Sequence, residues 1–335
     1  MQRFIEEYTP VTQIHLDINF RSKAGIVEAS GKVIAQNKKR FAKKIHANNK
    51  DKSGLHIDSF ELRHDMYEVV LESLQKAEND DLSQSAIIYR TNQELRSMAY
   101  KLRQKGIPYI SKEDRKSMFD EAWYLDVEAY IRLSLGSLER EYILRVANKP
   151  NRFIKREQLV NITRLPQPLE VAVKHIRTMR PYLAIKYIWS GIGYGRWLER
   201  ELLMDTEQWD VICEQLEEIT QEMKRFSSLE AWLEHVEEDR LRQKALQKPK
   251  EQTEGVQLLT MHASKGLEFD TVYLLDVNKG KVPKGAKLSA EELEEERRLF
   301  YVAMTRARKQ LYIYYVRGTR DHTLQPSVFL EPMLG

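Results

Sequence analysis

The period of the apolar residues changes twice along these 335 residues, and that change constrains the fold more than any one motif. From residue 11 onward short β-rich runs alternate with helical ones. Ile14–Ile18 and Leu55–Phe60 read as strands, with a helical pattern from about Lys23 to Asn37 between them. Ser85–Tyr89 is a further strand, a helix follows over Gln93–Lys105, and Ile107–Ile110 is a strand after the Gly106 stop. From about Arg115 to Lys250 strand signals nearly vanish. Apolar residues there recur at spacings of three and four, as in Trp123, Val127, Tyr130 and Ile131, or Leu229, Trp232, Leu233 and Val236. Strand runs return at Val256–Met261 and Thr271–Val277, and at Gln310–Val316 after a helix over 289–308. Strands alternating with helices call for a parallel sheet covered by helices. The late strands lack partners unless they rejoin the early ones. The predicted architecture is therefore α/β, with one mainly parallel sheet drawn from residues 11–110 and 256–316 and interrupted by a helical insertion.

Composition narrows the function classes. Hydrophobic residues make up 42% of the chain, which suits a globular core, and no run is long and apolar enough to span a membrane. Met1 to Pro10 lacks a basic segment followed by an apolar one, so no secretory signal is expected and the cytoplasm is the expected compartment. A single cysteine, Cys213, excludes an internal disulfide framework and a cysteine-based metal centre, and it reads as a small core residue on a helix. No His, Cys and Asp cluster has metal-ligand spacing, and no metal is expected on this chain. The net charge of +4 says little, but its distribution says more. Residues 38–52 carry Lys38, Lys39, Arg40, Lys43, Lys44, Lys50 and Lys52 against Asp51, while 291–296 hold five glutamates. The basic stretch is either a solvated helix end or an attraction for a polyanion such as DNA.

Several segments carry chemistry. Glu295–Lys309 runs as a helix straight into the strand 310–316, which places Arg306 near a helix end at a sheet edge. A guanidinium there can spread the charge of a transferring phosphoryl group through bidentate hydrogen bonds, or it can simply pair with Glu294–Glu296. Asn19-Phe20-Arg21-Ser22 sits between a strand and a helix, a good place for a nucleotide contact. The alternative there is a core phenylalanine beside a surface arginine. Thr260-Met261-His262-Ala263-Ser264-Lys265-Gly266-Leu267-Glu268-Phe269 leaves one strand through a turn and enters the next. Exposed Thr260, His262 and Lys265 can meet a phosphodiester backbone, and Glu268 can accept from a ribose hydroxyl; the alternative for His262 is a buried, hydrogen-bonded strand-end histidine. Tyr89-Arg90-Thr91-Asn92 reads either as a strand-to-helix cap with Thr91 or Asn92 at the N-cap, or as a further nucleic-acid contact.

Together these strings closely resemble the C-terminal motifs of the UvrD/Rep/PcrA family of superfamily 1 DNA helicases. The matches are dense over residues 1–150 and 255–330, and they include Met1-Gln2-Arg3-Phe4, Lys105–Tyr109 and Gln325-Pro326-Ser327. The resemblance implies a second RecA-like motor domain, discontinuous over 1–115 and 251–335, with an all-helical subdomain inserted at 116–250 and reduced relative to the family. It implies arginine fingers at Arg21 and Arg306, nucleotide contacts from Phe20 and Glu268, and single-stranded DNA contacts from Arg90, Asn92, Thr260, His262 and Lys265. Arg297 and Arg308 keep their reading as surface pairs. ATP and Mg2+ would serve the complete helicase, with none expected on this chain alone. The implied partners are single-stranded DNA, a duplex junction and an N-terminal RecA-like ATPase domain, in the same longer chain or in trans. Translocation would run 3′ to 5′.

Two departures stand out. Where the family has a Gly-Ile-Gly turn, this chain reads Pro150-Asn151-Arg152-Phe153-Ile154-Lys155, and Gly191-Ile192-Gly193 reads as a loop elsewhere. A phosphate-binding loop is also missing. The nearest string, Gly25 to Gly31-Lys32-Val33, has the wrong spacing, lacks the hydroxyl and lies in a predicted helix. The chain alone is therefore expected not to hydrolyse ATP. Two readings follow: the C-terminal region of an ATP-dependent helicase, or a non-catalytic DNA- or protein-binding module that kept the fold.

Overall fold

The structure is a computed structural model and describes residues 16–40, 43–77, 82–111, 116–160, 162–201, 206–246, 254–285, 287–318 and 323–334. The Met1–Phe4 string and the start of the predicted first strand lie outside the described residues. The strands are β1 (Ile18–Asn19), β2 (His46–Ala47), β3 (Leu55–Phe60), β4 (Ser85–Tyr89), β5 (Tyr109–Ile110), β6 (Val256–Thr260), β7 (Phe269–Leu274) and β8 (Ala307–Val316). The helices used below are α1 (Ala24–Ile34), α2 (Arg63–Lys76), α3 (Asn92–Gln104), α4 (Ala122–Ser134), α5 (Arg140–Val146), α6 (Thr206–Met223), α7 (Leu229–Leu246) and α8 (Ala290–Met304).

Six strands form one sheet in the order β3-β8-β7-β4-β6-β5, and every strand pairing recorded within it is parallel. Strands far apart in sequence thus become neighbours, as the double change of period requires: Ile57 pairs with Ile313, and Val272 with Leu311. The expectation of a single sheet needs one correction. β1 does not join it but pairs in parallel with β2, a strand absent from the sequence reading, in a separate two-stranded ribbon. β2 lies within the lysine-rich stretch, where charge hides the strand signal.

The chain separates into two compact units: residues 1–62, 81–90 and 259–335, and residues 63–80 and 91–258. The border runs through β6, and the second unit takes in α2, α3 and β5 in addition to the helical block. In the first unit, side chains alternate across the strands. Ala86, Ile88, Val272, Leu274, Leu311 and Ile313 form one core with Ile26, Ala29 and Val33 of α1 and Phe300, Ala303 and Met304 of α8. Alternate residues of β3, β8 and β7 stack instead. His56, Tyr312 and Tyr273 lie in register with ring centroids 4.5 and 4.9 Å apart.

The second unit is helical apart from its share of β5 and β6 among the described residues. Its core joins Tyr124, Val127, Tyr130 and Ile131 of α4 with Trp232 and Val236 of α7. Several buried polar groups in it are paired: Trp232 Nε1 donates to the Tyr124 hydroxyl at 2.8 Å, and Asp239 accepts from Arg103 Nε at 2.9 Å and from Ser117 Oγ at 3.0 Å. Cys213 lies on α6 but is half-buried rather than in the core, and Gly191 closes a π-helical turn (Tyr187–Gly191), so the predicted loop is confined to Ile192 and Gly193 before the helix beginning at Tyr194. Among the described residues no helix is long and apolar enough to cross a membrane.

Candidate functional site

The Asn19–Ser22 turn is built by its own side chains. Asn19 Oδ1 accepts from the backbone N–H of Arg21 at 2.8 Å and of Ser22 at 2.9 Å, which closes a tight turn ahead of α1. The turn is then fastened to the start of β8. Ser22 Oγ, buried, donates to the Ala307 carbonyl at 2.6 Å, and Lys23 N donates to Arg308 O at 3.1 Å. Glycine is required just beyond, because a Cβ on Gly25 would stand 2.3 Å from the Lys52 carbonyl oxygen.

The same corner receives the end of α8. That helix stops at Met304 and β8 begins at Ala307, earlier than the predicted strand start at Gln310. The reason is the pairing with β7: Phe269 N donates to Arg306 O at 2.9 Å, which draws the chain into the sheet immediately after Arg306. Arg306 is thereby confined to a short turn, and its guanidinium is held on several sides. Nε donates to Val302 O at 2.8 Å, Nη1 to Leu267 O at 3.0 Å, and Nη2 to Thr305 Oγ1 at 3.1 Å. Arg21 pairs with Glu268 and reaches Thr305 O through Nη1 at 3.5 Å. Arg21, Arg306 and Glu268 therefore share one corner. Burial, together with the neighbouring Arg21 charge, draws the Arg306 guanidinium below its ordinary range, and Glu268 works the other way. Beside them Phe20 is 75% exposed, with its ring free of the core.

Tyr301, which the sequence reading did not single out, belongs to this corner. Burial pushes its hydroxyl pKa up although the Arg306 and Arg21 charges pull it down. Tyr301 lies four residues before Thr305, whose N–H donates to the Tyr301 carbonyl at 3.0 Å, and both belong to the same string as Arg306.

A second cluster gathers the other predicted residues of this unit. Met261 N donates to Tyr89 O at 2.8 Å, which brings the turn after β6 to the end of β4. His262 and Lys265 are exposed on that turn, as predicted. Thr260 is a correction: it is 6% exposed, and its Oγ1 accepts from Ala263 N at 3.2 Å, so its hydroxyl closes the turn. Arg90 is tied within the same unit. Its fork closes on Glu296 of α8, with Nε at 2.9 Å and Nη2 at 2.6 Å from the carboxylate oxygens. Burial raises the Glu296 pKa, but Arg90, the Lys284 N–H and the His262 charge outweigh burial, and the net shift is downward. In the second unit Asn92 is exposed at the first turn of α3, and Thr91 takes the cap, with Glu94 accepting from its N–H and its hydroxyl. The expected pairing of Arg297 and Arg308 with Glu294–Glu296 on a solvated helix is replaced: half-buried Arg297 donates to Asn37 Oδ1 at 2.5 Å, and Arg308, drawn into β8, pairs with Asp270 at 2.8 Å.

The Arg21–Arg306 corner fits an anionic ligand. Two guanidiniums face one carboxylate, and three of the five N–H groups of Arg306 are used internally to fix its plane. The exposed Phe20 ring suits a nucleobase. The donor set does not suit a divalent cation, since Glu268 is the single acid there and is already paired. Among the described residues no group of three His, Cys, Asp or Glu side chains could hold a metal.

The chain matches the family described as UvrD-like helicase C-terminal domain over residues 14–185 and 199–318. It is 30% identical to the putative ATP-dependent DNA helicase YjcD of Bacillus subtilis, over 99% of this chain and 47% of that protein. It is 26% identical to the ATP-dependent DNA helicase Rep of Buchnera aphidicola subsp. Schizaphis graminum, over 95% of this chain and 55% of the relative. The ATP-dependent DNA helicase PcrA of Leuconostoc citreum is also 26% identical, over 92% and 47%. The chain spans about half the length of these curated relatives.

Proposed function

The chain belongs to the UvrD-like helicase C-terminal domain family, and from that premise we propose that it is the C-terminal motor region of an ATP-dependent DNA helicase. The second RecA-like domain is discontinuous over 1–115 and 251–335, which adds α2, α3, β5 and the start of β6 to the first unit, and 116–250 is the inserted helical subdomain. ATP and Mg2+ supply phosphoryl-transfer chemistry in a site completed by an N-terminal RecA-like domain, which holds the metal. Arg21 and Arg306 bind and orient the terminal phosphate and stabilise charge as it develops there. Phe20 offers its ring to the base. Glu268 holds Arg21 in place and can serve as an acceptor towards the ribose. His262 and Lys265 meet the single-stranded DNA backbone. Arg90 acts beside them through Glu296, and Asn92 is a further DNA contact. The partners are single-stranded DNA and the duplex junction, the compartment is the cytoplasm, and the direction is 3′ to 5′.

The observation that carries this reading is the convergence of Arg21 and Arg306 around Glu268 beside an exposed aromatic ring. ATP turnover stimulated by single-stranded DNA tests it. In the complete helicase Arg306→Ala is expected to bind ATP but lose turnover by a factor on the order of 10³ or more. Arg306→Lys should restore little, because a point charge does not replace a planar fork. This chain alone, which lacks a phosphate-binding loop, should show no turnover. Near-normal turnover in the alanine variant refutes the proposal.

A further inference from the structure

The turn that replaces the missing Gly-Ile-Gly is as heavily braced as the arginine corner, yet it ends on a phenylalanine pointing at water. Phe153 is 84% exposed, the most exposed of the large hydrophobic side chains among the described residues. Its backbone is left-handed, with φ of 56°, a region that a bulky side chain rarely enters and that glycine occupies freely. Asp276 is the one other non-glycine residue with positive φ among the described residues, and it is buried.

The conformation is enforced from both sides. Asn148 Oδ1 accepts from Arg152 N at 3.2 Å and Ile154 N at 3.0 Å, while its Nδ2 donates to Ile154 O at 3.0 Å. Asn151 Oδ1 accepts from Phe153 N at 2.9 Å. The Arg152 guanidinium turns inward, Nη1 to the carbonyls of Val146 at 3.0 Å, Ala147 at 3.4 Å and Pro150 at 3.2 Å, and Nη2 to the Tyr130 hydroxyl at 2.7 Å. Ile154 is buried in the helical core. With both neighbours anchored, the ring of Phe153 has nowhere to go but outward. A strained backbone position kept by an over-determined turn points to use.

The surroundings select the ligand. Asn151, Lys155, Arg156 and Gln158, within five residues of Phe153 along the chain, are exposed, and Glu157 is the one acid in the stretch 148–164. Val160, 58% exposed, is the other exposed large hydrophobic residue of that stretch, and two such side chains among exposed Lys, Arg, Asn and Gln fall short of the contiguous apolar patch that a protein or lipid partner requires. It suits a ligand with flat π-faces joined by phosphates.

We propose that Phe153 is a base-stacking residue: its ring, held out on the braced turn, takes the face of an unpaired or terminal nucleobase while Lys155 and Arg156 meet the adjoining phosphates. The contact is made by a side chain, not by backbone approach, which is why glycine is dispensable here. The proposal rests on the nucleic-acid reading of the chain.

The test uses this chain and a duplex with a single-stranded tail, carrying 2-aminopurine at the first unpaired position or at the duplex end. Stacking should change the probe's fluorescence on binding. Phe153→Gly should abolish that change and weaken binding about 5- to 100-fold. Its melting midpoint should stay within about 2 °C or rise, because glycine suits the left-handed turn and little burial is lost. Phe153→Trp should keep the signal, and Phe153→Leu should lose it. If wild type binds the DNA but the glycine and leucine variants bind as tightly with the same fluorescence, the stacking role is overturned and the nucleic-acid reading stands. If wild type fails to bind either DNA at low salt, both are overturned.

Discussion

At the scale of single residues, the arginine corner depends on a side chain that touches neither guanidinium. Asn19 accepts from two consecutive backbone N–H groups and so fixes where Arg21 leaves the chain. Asn19→Ala should destabilise the first unit by about 1 kcal/mol, the net value of such bonds, seen as a lowered unfolding midpoint. It should also lower ATP turnover in the complete helicase more than that loss of stability explains. Asn19→Asp keeps the acceptor and should restore the midpoint. Much of this corner is legible in the sequence, because Phe20, Arg21, Glu268 and Arg306 sit in short strings whose order along the chain survives folding. Thr260 shows the limit. Its place at a strand end is readable, but whether a hydroxyl faces solvent or closes its own turn is decided by backbone direction after the strand, which no residue type announces. Phe153 shows another limit: loss of glycine suggests loss of the turn, whereas hydrogen bonds from Asn148, Asn151 and Arg152 impose the same backbone on a different residue.

At the scale of elements, α8 links the two clusters of the first unit. It starts with a capping box in which Ser289 N donates to Glu292 at 2.8 Å and Glu292 N to Ser289 Oγ at 3.2 Å. Glu296 then meets Arg90, and Thr305 meets Arg306, nine residues and about 13 Å further along a helix. The element and its period are readable, and so is its acidic first half. Its pairing with Arg90 is not, since 206 residues separate the partners. Both side chains are 16% exposed, so removing one leaves the other poorly solvated. Arg90→Ala and Glu296→Ala are each expected to cost about 2 kcal/mol, and the double variant should recover part of the sum. Denaturant unfolding of the four proteins measures the coupling. Strict additivity would mean that Arg90 is not held by Glu296 in solution.

At the scale of the whole chain, discontinuity is what the sequence displays best and its border what it displays least. The return of β-period at Val256 announces that early and late strands share a sheet. The assignment of α2, α3 and β5 to the second unit depends on packing, and both helices have the same amphipathic pattern wherever they dock. The helical unit also has a pH response of its own. His235 Nε2 lies 2.8 Å from the Tyr100 hydroxyl, and its ring packs against Phe119, Phe226 and Trp232. Burial lowers its pKa from the ordinary 6.5; Glu222, Asp239 and Glu238 oppose this without cancelling it, and Arg242 adds to it. Below 6.5 the unfolded chain therefore binds a proton that the folded chain refuses. Stability from this group is full above 6.5, falls as pH is lowered through it, and levels off once the folded value is passed. Glu218 acts in the opposite sense, because burial raises its pKa and acid relieves a buried charge. Comparing wild type with His235→Gln cancels that contribution. From about pH 7.5 to about pH 5.5 the wild-type midpoint should fall further than that of the variant. Equal slopes for the two proteins would place the acid sensitivity in the carboxylates and show that His235 is protonated equally in both states.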